Sequence, residues 1–265
     1  MIYGISDVHG DLKQAIHLLK KHDVIDEDCK WKAGTSTLVC VGDSTDRGNN
    51  SISVLKLFYS LKIQAFNAGG RVIHLMGNHD ALILSMVLHR QEYGADDYER
   101  SYVFQGNGGK PQDVKSLEKL DYLRRYMQSF PLMCRVDDIL FQHADGFEFY
   151  QNIITNQNTP EDKIKAINLY GRERAQNSWG AWNLFFDITD ERRWQHRTSF
   201  MPKYLELFDA KQVVHGHTGF LGDEPLVYLD NQAINIDAVM SRGYRNDENR
   251  GCVLVIDSPG DNILL

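Results

Sequence analysis

Proline and cysteine are scarce, apolar runs are short, and positive charge is in deficit. With 6 prolines and 21 glycines among 265 residues, the composition is neither collagen-like nor that of a disordered tract. The 4 cysteines, Cys29, Cys40, Cys134 and Cys252, are widely spaced and form no Cys-x-x-Cys pair. Size alone excludes a small stapled module, and the cysteine spacing predicts reduced, buried thiols in a cytoplasmic protein. The longest apolar stretch, Ala81 to Leu88, is far below the roughly 20 residues of a spanning helix. The N-terminus has no basic segment or cleavage site, so neither membrane insertion nor export is expected. With 29 Lys+Arg against 36 Asp+Glu the net charge is −7, without the basic surplus that nucleic acid as a partner demands.

What is present is a globular composition, 42% hydrophobic and 25% charged. The length allows one large domain or two small ones. No repeat, low-complexity tract or linker interrupts the chain, so one domain over 1–265 is expected. Short β-rich runs alternate with amphipathic stretches, the mark of an α/β fold. Strands are predicted at Met1 to Ser6, Thr37 to Val41 and Arg71 to Met76, with helices at Asp11 to His22, Ser51 to Ala65 and Ala81 to His89. The pattern lapses between Gln91 and Pro111, which predicts a loop or insertion near 91–112. A helix from Asp113 to Gln128, a hairpin turning at Asp137-Asp138, and a long aromatic and charged segment across 144–199 that could cap a site come next. Four short strands, Lys211 to Val214, Leu226 to Leu229, Ile234 to Asp237 and Cys252 to Asp257, complete a sheet.

Each of five strand exits carries a potential metal ligand: Asp7-Val8-His9-Gly10, Gly42-Asp43-Ser44-Thr45-Asp46-Arg47-Gly48, Gly77-Asn78-His79-Asp80, His143, and His215-Gly216-His217-Thr218. In open α/β sheets ligands bind beyond the carboxyl ends of the strands, so these exits should converge on one crevice. Asp7 and His9 are two apart and in extended chain would point to the same side. A mixed carboxylate, imidazole and amide set suits Mn, Fe or Zn. Asp43, on a glycine-flanked exit, is the natural bridge between two ions, and a pair roughly 3.5–4 Å apart deprotonates a water and clamps a phosphoryl oxygen. Taken singly, each motif is more often a turn or a satisfied polar group. Together, in this order and each after an apolar strand, they are poorly explained by coincidence.

The ordered set resembles the calcineurin-like metallophosphoesterases. Its Asp46-Arg47-Gly48 ending is similar to the branch holding Ser/Thr phosphoprotein phosphatases, the lambda phage phosphatase and symmetrical bis(nucleosyl)-tetraphosphate hydrolases. Weaker echoes are Asn107-Gly108-Gly109 and Ile236-Asp237. The resemblance implies a β-sandwich of mixed sheets flanked by helices, four layers α/β/β/α. It implies two divalent metal ions, Mn2+ before Fe or Zn, with Asp7 and His9 on the first, Asp43 bridging, and Asn78, His143 and His217 completing the second. His79 would be the general acid, oriented by Asp46, with Arg47 on the phosphate oxygens and a metal-bridging hydroxide attacking in line.

There are departures from the pattern. Ser6 stands where many members have Gly, the fourth motif reads His143-Ala144-Asp145-Gly146, and Gly219 replaces the second histidine of the Gly-His-x-His variant. A second phosphate-binding arginine would have to come from Arg172, Arg174, Arg192, Arg193 or Arg197, among which the sequence does not choose. His215 is read as a hydrogen-bonded strand-end histidine, off the metal. Trp179, Trp182, Phe185, Phe186 and Trp194 are read as core or cap packing before a stacking rim. The expected function is hydrolysis of phosphomonoesters, as a Ser/Thr-type protein phosphatase acting on a phosphorylated protein or a small phosphoester. Dinucleoside tetraphosphate hydrolysis is the nearest rival. A noncatalytic scaffold and a nuclease rank below both.

Overall fold

A computed structural model describes residues 1–144, 147–189, 200–241, 250–258, 260 and 262–265. The first half builds β1 (Ile2–Ile5), α1 (Leu12–Lys21), β2 (Thr37–Cys40), α2 (Ser51–Asn67), β3 (Arg71–His74) and α3 (Asn78–Tyr93). Then come α4 (Tyr98–Gly106), α5 (Pro111–Lys119), α6 (Asp121–Gln128), β4 (Met133–Val136) and β5 (Ile139–Gln142). Helices α7 (Phe147–Ile154), α8 (Pro160–Arg174), α9 (Ser178–Thr189) and α10 (Met201–Leu207) precede β6 (Gln212–His215), β7 (Leu226–Tyr228), β8 (Ala233–Asn235), β9 (Leu254–Ile256) and β10 (Ile263–Leu264).

One sheet has the order β3-β2-β1-β9 and the other β10-β4-β5-β6-β8-β7. Parallel pairs β1/β2 and β2/β3 stand beside antiparallel β1/β9, and parallel β5/β6 and β6/β8 beside antiparallel β4/β5, so both sheets are mixed. Every residue of β1 and β2 is buried, which requires cover on both faces. Strand alternation supplies it. Ile2, Val39 and Ile73 meet Val136, Ile139, Phe141 and Val214 between the sheets. On the opposite face Tyr3, Ile5, Leu38 and Cys40 pack against Leu18 and Leu19 of α1 and Val54 and Phe58 of α2. Met133, Leu140 and Val213 turn outward beneath α3 and α10. The result is the expected α/β/β/α arrangement.

Several local expectations change. Helix α3 starts at Asn78 rather than Ala81. The segment near 91–112 contains α4, whose N-terminus is capped by Asp97 accepting from the Arg100 N–H at 3.2 Å. Its apolar pattern was unreadable because Tyr98 and Tyr102 are exposed and only Arg100 and Phe104 are buried. The helix expected at Asp113 to Gln128 is two, broken at Leu120, where the backbone leaves helical geometry at φ −107°, ψ 67°. Strand β10 had no counterpart in the sequence reading. Cys40, Cys134 and Cys252 are buried free thiols, whereas Cys29 is half-exposed. No described helix is long and apolar enough to cross a membrane.

Candidate metal centre

The exits of β1, β2, β3 and β6 meet in one cleft of about 290 Å³, lined among others by Asp7, His9, Asp43, Asn78, His79 and His217, and the β5 exit places buried His143 behind it, its Nε2 3.4 Å from Asp43 Oδ2. The chain reaches it by sharp turns. Asp7, His9, Asp43, Asp46, Arg47 and His217 all hold positive φ, between 45° and 68°, a conformation costing of order 1 kcal/mol or more per non-glycine residue and typical of functional loops. The convergence of Asp7 and His9 therefore does not come from extended-strand alternation. β1 ends at Ile5, and two left-handed residues bring His9 Nε2 within 3.8 Å of Asp7 Oδ1. Gly42 stands at φ +91°, and a Cβ there would lie 2.6 Å from His143 Nδ1; only glycine lets the Asp43 turn pass so close.

Asp43 occupies the middle. Its Oδ2 lies 3.7 Å from His9 Nε2 and 3.4 Å from His143 Nε2, and its Oδ1 accepts the His79 backbone N–H at 2.8 Å. Asn78 Oδ1 lies 3.0 Å from His143 Nε2 and 3.1 Å from His217 Nδ1. Two donor groups result, His9/Asp43/His79 and Asp43/His143/His217, each within 4.8 Å, and Asp43 belongs to both. Asp7 is tied to the second group by its Oδ2, which accepts the His217 N–H at 3.1 Å and is also held by Ser6 Oγ. The rings are oriented from behind. His143 Nδ1 donates to the Val41 carbonyl at 2.7 Å and His9 Nδ1 to the Thr45 carbonyl at 3.0 Å, turning each Nε2 toward Asp43; against burial, Asp43 and Asp7 raise His143 to about 10, so with no metal bound its Nε2 carries a proton. This buried O/N donor set, without thiolate, fits borderline to hard divalent ions.

Electrostatics agree with a site awaiting positive charge. Burial pushes Asp7 up to about 6, opposed by His143 and reinforced by the neighbouring Asp43. Burial acts upward on Asp43 too, but His143, His79 and His9 hold it well below the usual carboxylate range. Burial, with His79 adding, drives His9 far down, so its imidazole is neutral, the form able to ligate a metal.

At the mouth stands a second arrangement. The Arg47 guanidinium donates to His79 Nε2 at 2.9 Å; a guanidinium only donates, so Nε2 accepts and the ring proton sits on Nδ1, facing Asp46 Oδ2 at 3.1 Å. Burial raises Asp46 to about 6, and its other oxygen has no hydrogen-bond partner among the described residues. An imidazole held at Nδ1 by a carboxylate, with Nε2 on the cleft, is built to move a proton.

Sequence reasoning missed the supports. Asp80, quoted in the third motif without a role, accepts from Ser44 N at 3.1 Å, Thr45 N at 3.2 Å and Thr45 Oγ1 at 3.0 Å, tying the β2 exit to the β3 exit. Lys110 Nζ donates to the Arg47 carbonyl at 3.4 Å, to Asn49 Oδ1 at 2.7 Å and to the Gly48 carbonyl. The Arg47 N–H in turn bonds the Gly108 carbonyl at 2.9 Å. Asn107-Gly108-Gly109, flagged only as an echo, is therefore the clasp on the Arg47 turn; nothing local announces Lys110. Asp237 lines the cleft, and a Cβ at Gly219 would lie 3.4 Å from its Oδ2, so a carboxylate faces the position of the missing second histidine.

Other expected residues stand elsewhere. His215 is buried, bonded to the Gly216 carbonyl at 2.9 Å and to Tyr228 Oη, and belongs to neither donor group. Arg174 lies over the Tyr170 ring at 4.2 Å; neither it nor Arg172 lines the cleft. Trp182 and Phe185 are core residues, and Arg100 stacks on Trp179 and Trp182. Arg192, Arg193, Arg197, Trp194, Asp145 and Gly146 lie outside the described residues.

The family model for calcineurin-like phosphoesterases matches residues 1–219, and the chain belongs to that family. It is 24% identical over 257 residues to Shewanella-like protein phosphatase 1 of Plasmodium berghei, covering 91% of this chain and 67% of that protein. It is 27% identical over 151 residues to a symmetrical bis(5'-nucleosyl)-tetraphosphatase of Buchnera aphidicola, covering 56% and 45%. Among solved structures it resembles a cold-active protein-tyrosine phosphatase of a psychrophilic Shewanella, at TM-score 0.65 and 25% identity over 91% of this chain and 72% of that one. Stretches matched at 39% and 35% identity span only 25% and 21% of the curated relatives concerned.

Proposed function

We propose that this protein is a phosphomonoesterase dependent on two divalent metal ions and acts on phosphorylated protein side chains in the cytoplasm. Asp43, shared between two buried donor groups, carries the reading. Asp7, His9 and Asp43 would hold one ion, and Asp43, Asn78, His143 and His217 the other, with manganese the first expectation for this O/N set. Bound there, the pair supplies Lewis-acid charge and an activated water at neutral pH. Arg47 receives the phosphoryl oxygens through its planar fork. Once phosphate draws the guanidinium off His79 Nε2, that nitrogen is free to carry a proton to the leaving alkoxide, while Asp46 steadies the imidazolium from Nδ1.

Hydrolysis of a dinucleoside tetraphosphate is the second reading, favoured by the likeness to the Buchnera enzyme. A panel of phosphoserine, phosphothreonine and phosphotyrosine peptides, diadenosine tetraphosphate and bis-p-nitrophenyl phosphate, run with manganese, separates the two. Preference for a phosphopeptide is expected. Preference for tetraphosphate installs the rival, preference for the diester overturns both, and absence of bound metal revives the noncatalytic scaffold.

A further inference from the structure

A second cavity shares no lining residue with the metal cleft. A groove of about 680 Å³ runs along the outer edge of β3, between α2, α6 and the end of β10. We propose that it docks an extended segment of a partner protein, one that alternates apolar residues and carries acidic ones. The partner would be a phosphoprotein substrate, so the inference rests on the function proposed above; its test does not require catalysis.

Three observations select that occupant. The first is a strand edge with no strand paired to it, although the side chains of Val72 and His74 are buried. Among the described residues β3 has a strand neighbour, β2, on one side only. The N–H groups of Arg71 and Leu75 donate toward that side, to Ser36 and Cys40 carbonyls, so by strand alternation the N–H and C=O of Val72 and His74 point into the groove. Pro131 takes the N–H of Met76 just beyond the strand, which closes one end and leaves the middle. Such an edge accepts another strand, whose main chain supplies affinity and whose alternate side chains supply specificity.

The second observation is apolar surface without a partner. Ile63, Phe66, Tyr122 and Leu265 line this groove and are exposed, Phe66 by 79%. Clusters of this kind on a soluble surface mark interaction sites. The third is charge. Lys62, Arg71 and Arg125 line the groove, and among the described residues no Asp or Glu side chain does, although the chain as a whole carries −7. Arg125 is partly answered by Asp121 at 2.6 Å; Lys62 Nζ lies over the Tyr126 ring at 5.2 Å. A cationic rim on an acidic protein favours an acidic partner and disfavours a basic one. Physically, the groove also supplies what the metal cleft lacks. The cleft is about 290 Å³, room for a phosphorylated side chain and little of the chain around it.

The test pans a random twelve-residue peptide phage library on the intact protein, with counter-selection on the Lys62→Glu/Arg71→Glu double variant. Enriched peptides should alternate apolar residues and contain Asp or Glu. A synthetic consensus peptide should bind the double variant at least 10-fold more weakly and Phe66→Ser more weakly than wild type. Hydrolysis of p-nitrophenyl phosphate should be unchanged in all three proteins, which also reports that the variants fold. No enrichment over the counter-selected variant, basic consensus peptides, or equal binding by wild type and variants would overturn docking. So would a wild-type dimer in sedimentation that the double variant loses, because the occupant would then be a second copy of this chain. Peptide capture by a protein inactive on every phosphoester removes the proposed function and leaves the groove; activity without capture does the reverse.

Discussion

The metal cleft and the β3 groove use opposite materials. The cleft is small, polar and made of left-handed turns that carry carboxylates and imidazoles. The groove is more than twice its volume, apolar, and made of regular helix and strand. Reactivity needs side chains fixed against their neighbours, and the strain of those turns is held by a dense network through Asp80 and Lys110. Recognition of a chain needs area and an open backbone, which regular elements provide at a sheet edge. The two regions also touch through one polar path: Tyr126, on the groove, meets His74 Nδ1 at 3.1 Å, and His74 Nε2 meets Ser44 Oγ, beside Asp43, at 2.7 Å.

The comparison breaks most decisively at Asp43. Asp43→Asn should lower kcat/KM by at least about 100-fold, the upper end of what outer ligand supports cost, and elemental analysis should find both metals weakened together. Loss of one ion alone would show that Asp43 is not shared. His79→Ala should cost roughly 10²–10⁴-fold in kcat for alkyl phosphates and far less for p-nitrophenyl phosphate, whose leaving group needs little protonation; equal losses would remove the acid role.

Smaller effects sharpen the contrast. Lys110→Met should raise KM for phosphoesters, by less than the roughly 100-fold that a 1 Å misplacement of a reacting group costs, with Lys110→Arg restoring it. A matched fall in kcat with unchanged KM would instead mark Lys110 as merely structural. Between cleft and groove, burial depresses His74 from 6.5 to about 3. Between those values the unfolded chain binds a proton that the folded chain does not, so stability rises with pH and is lost as pH falls below about 6.5. Denaturant titrations should give His74→Gln a shallower acid limb, by up to about 1.4 kcal/mol per pH unit, the slope of one proton.

Much of the site was written locally. Each candidate motif follows its apolar strand within a few residues, so strand exits, glycine-marked turns and residue chemistry marked the motifs, while the choice of Asp7, His9, Asp43, Asn78, His143 and His217 within them came from the family resemblance. The strands were legible too, because β1, β2 and β5 are apolar runs buried on both faces. What failed was the reading of segments whose apolar residues face outward, such as α4, and of ends set by tertiary contact, such as the break at Leu120.

The sequence by itself determined which chemical groups stand at the strand exits and in what order, since those depend on residue type and short-range period. Only the tertiary structure decided how they meet: that Asp7 and His9 converge through left-handed turns, that Val41 and Thr45 carbonyls turn the Nε2 atoms of His143 and His9 toward Asp43, and that Lys110 clasps the Arg47 turn from 62 residues beyond Gly48. The β3 groove is of the same kind, assembled from α2, α6 and the last residues of the chain. Contacts between distant segments leave no periodic trace in a sequence, because their geometry exists only once both sheets have packed.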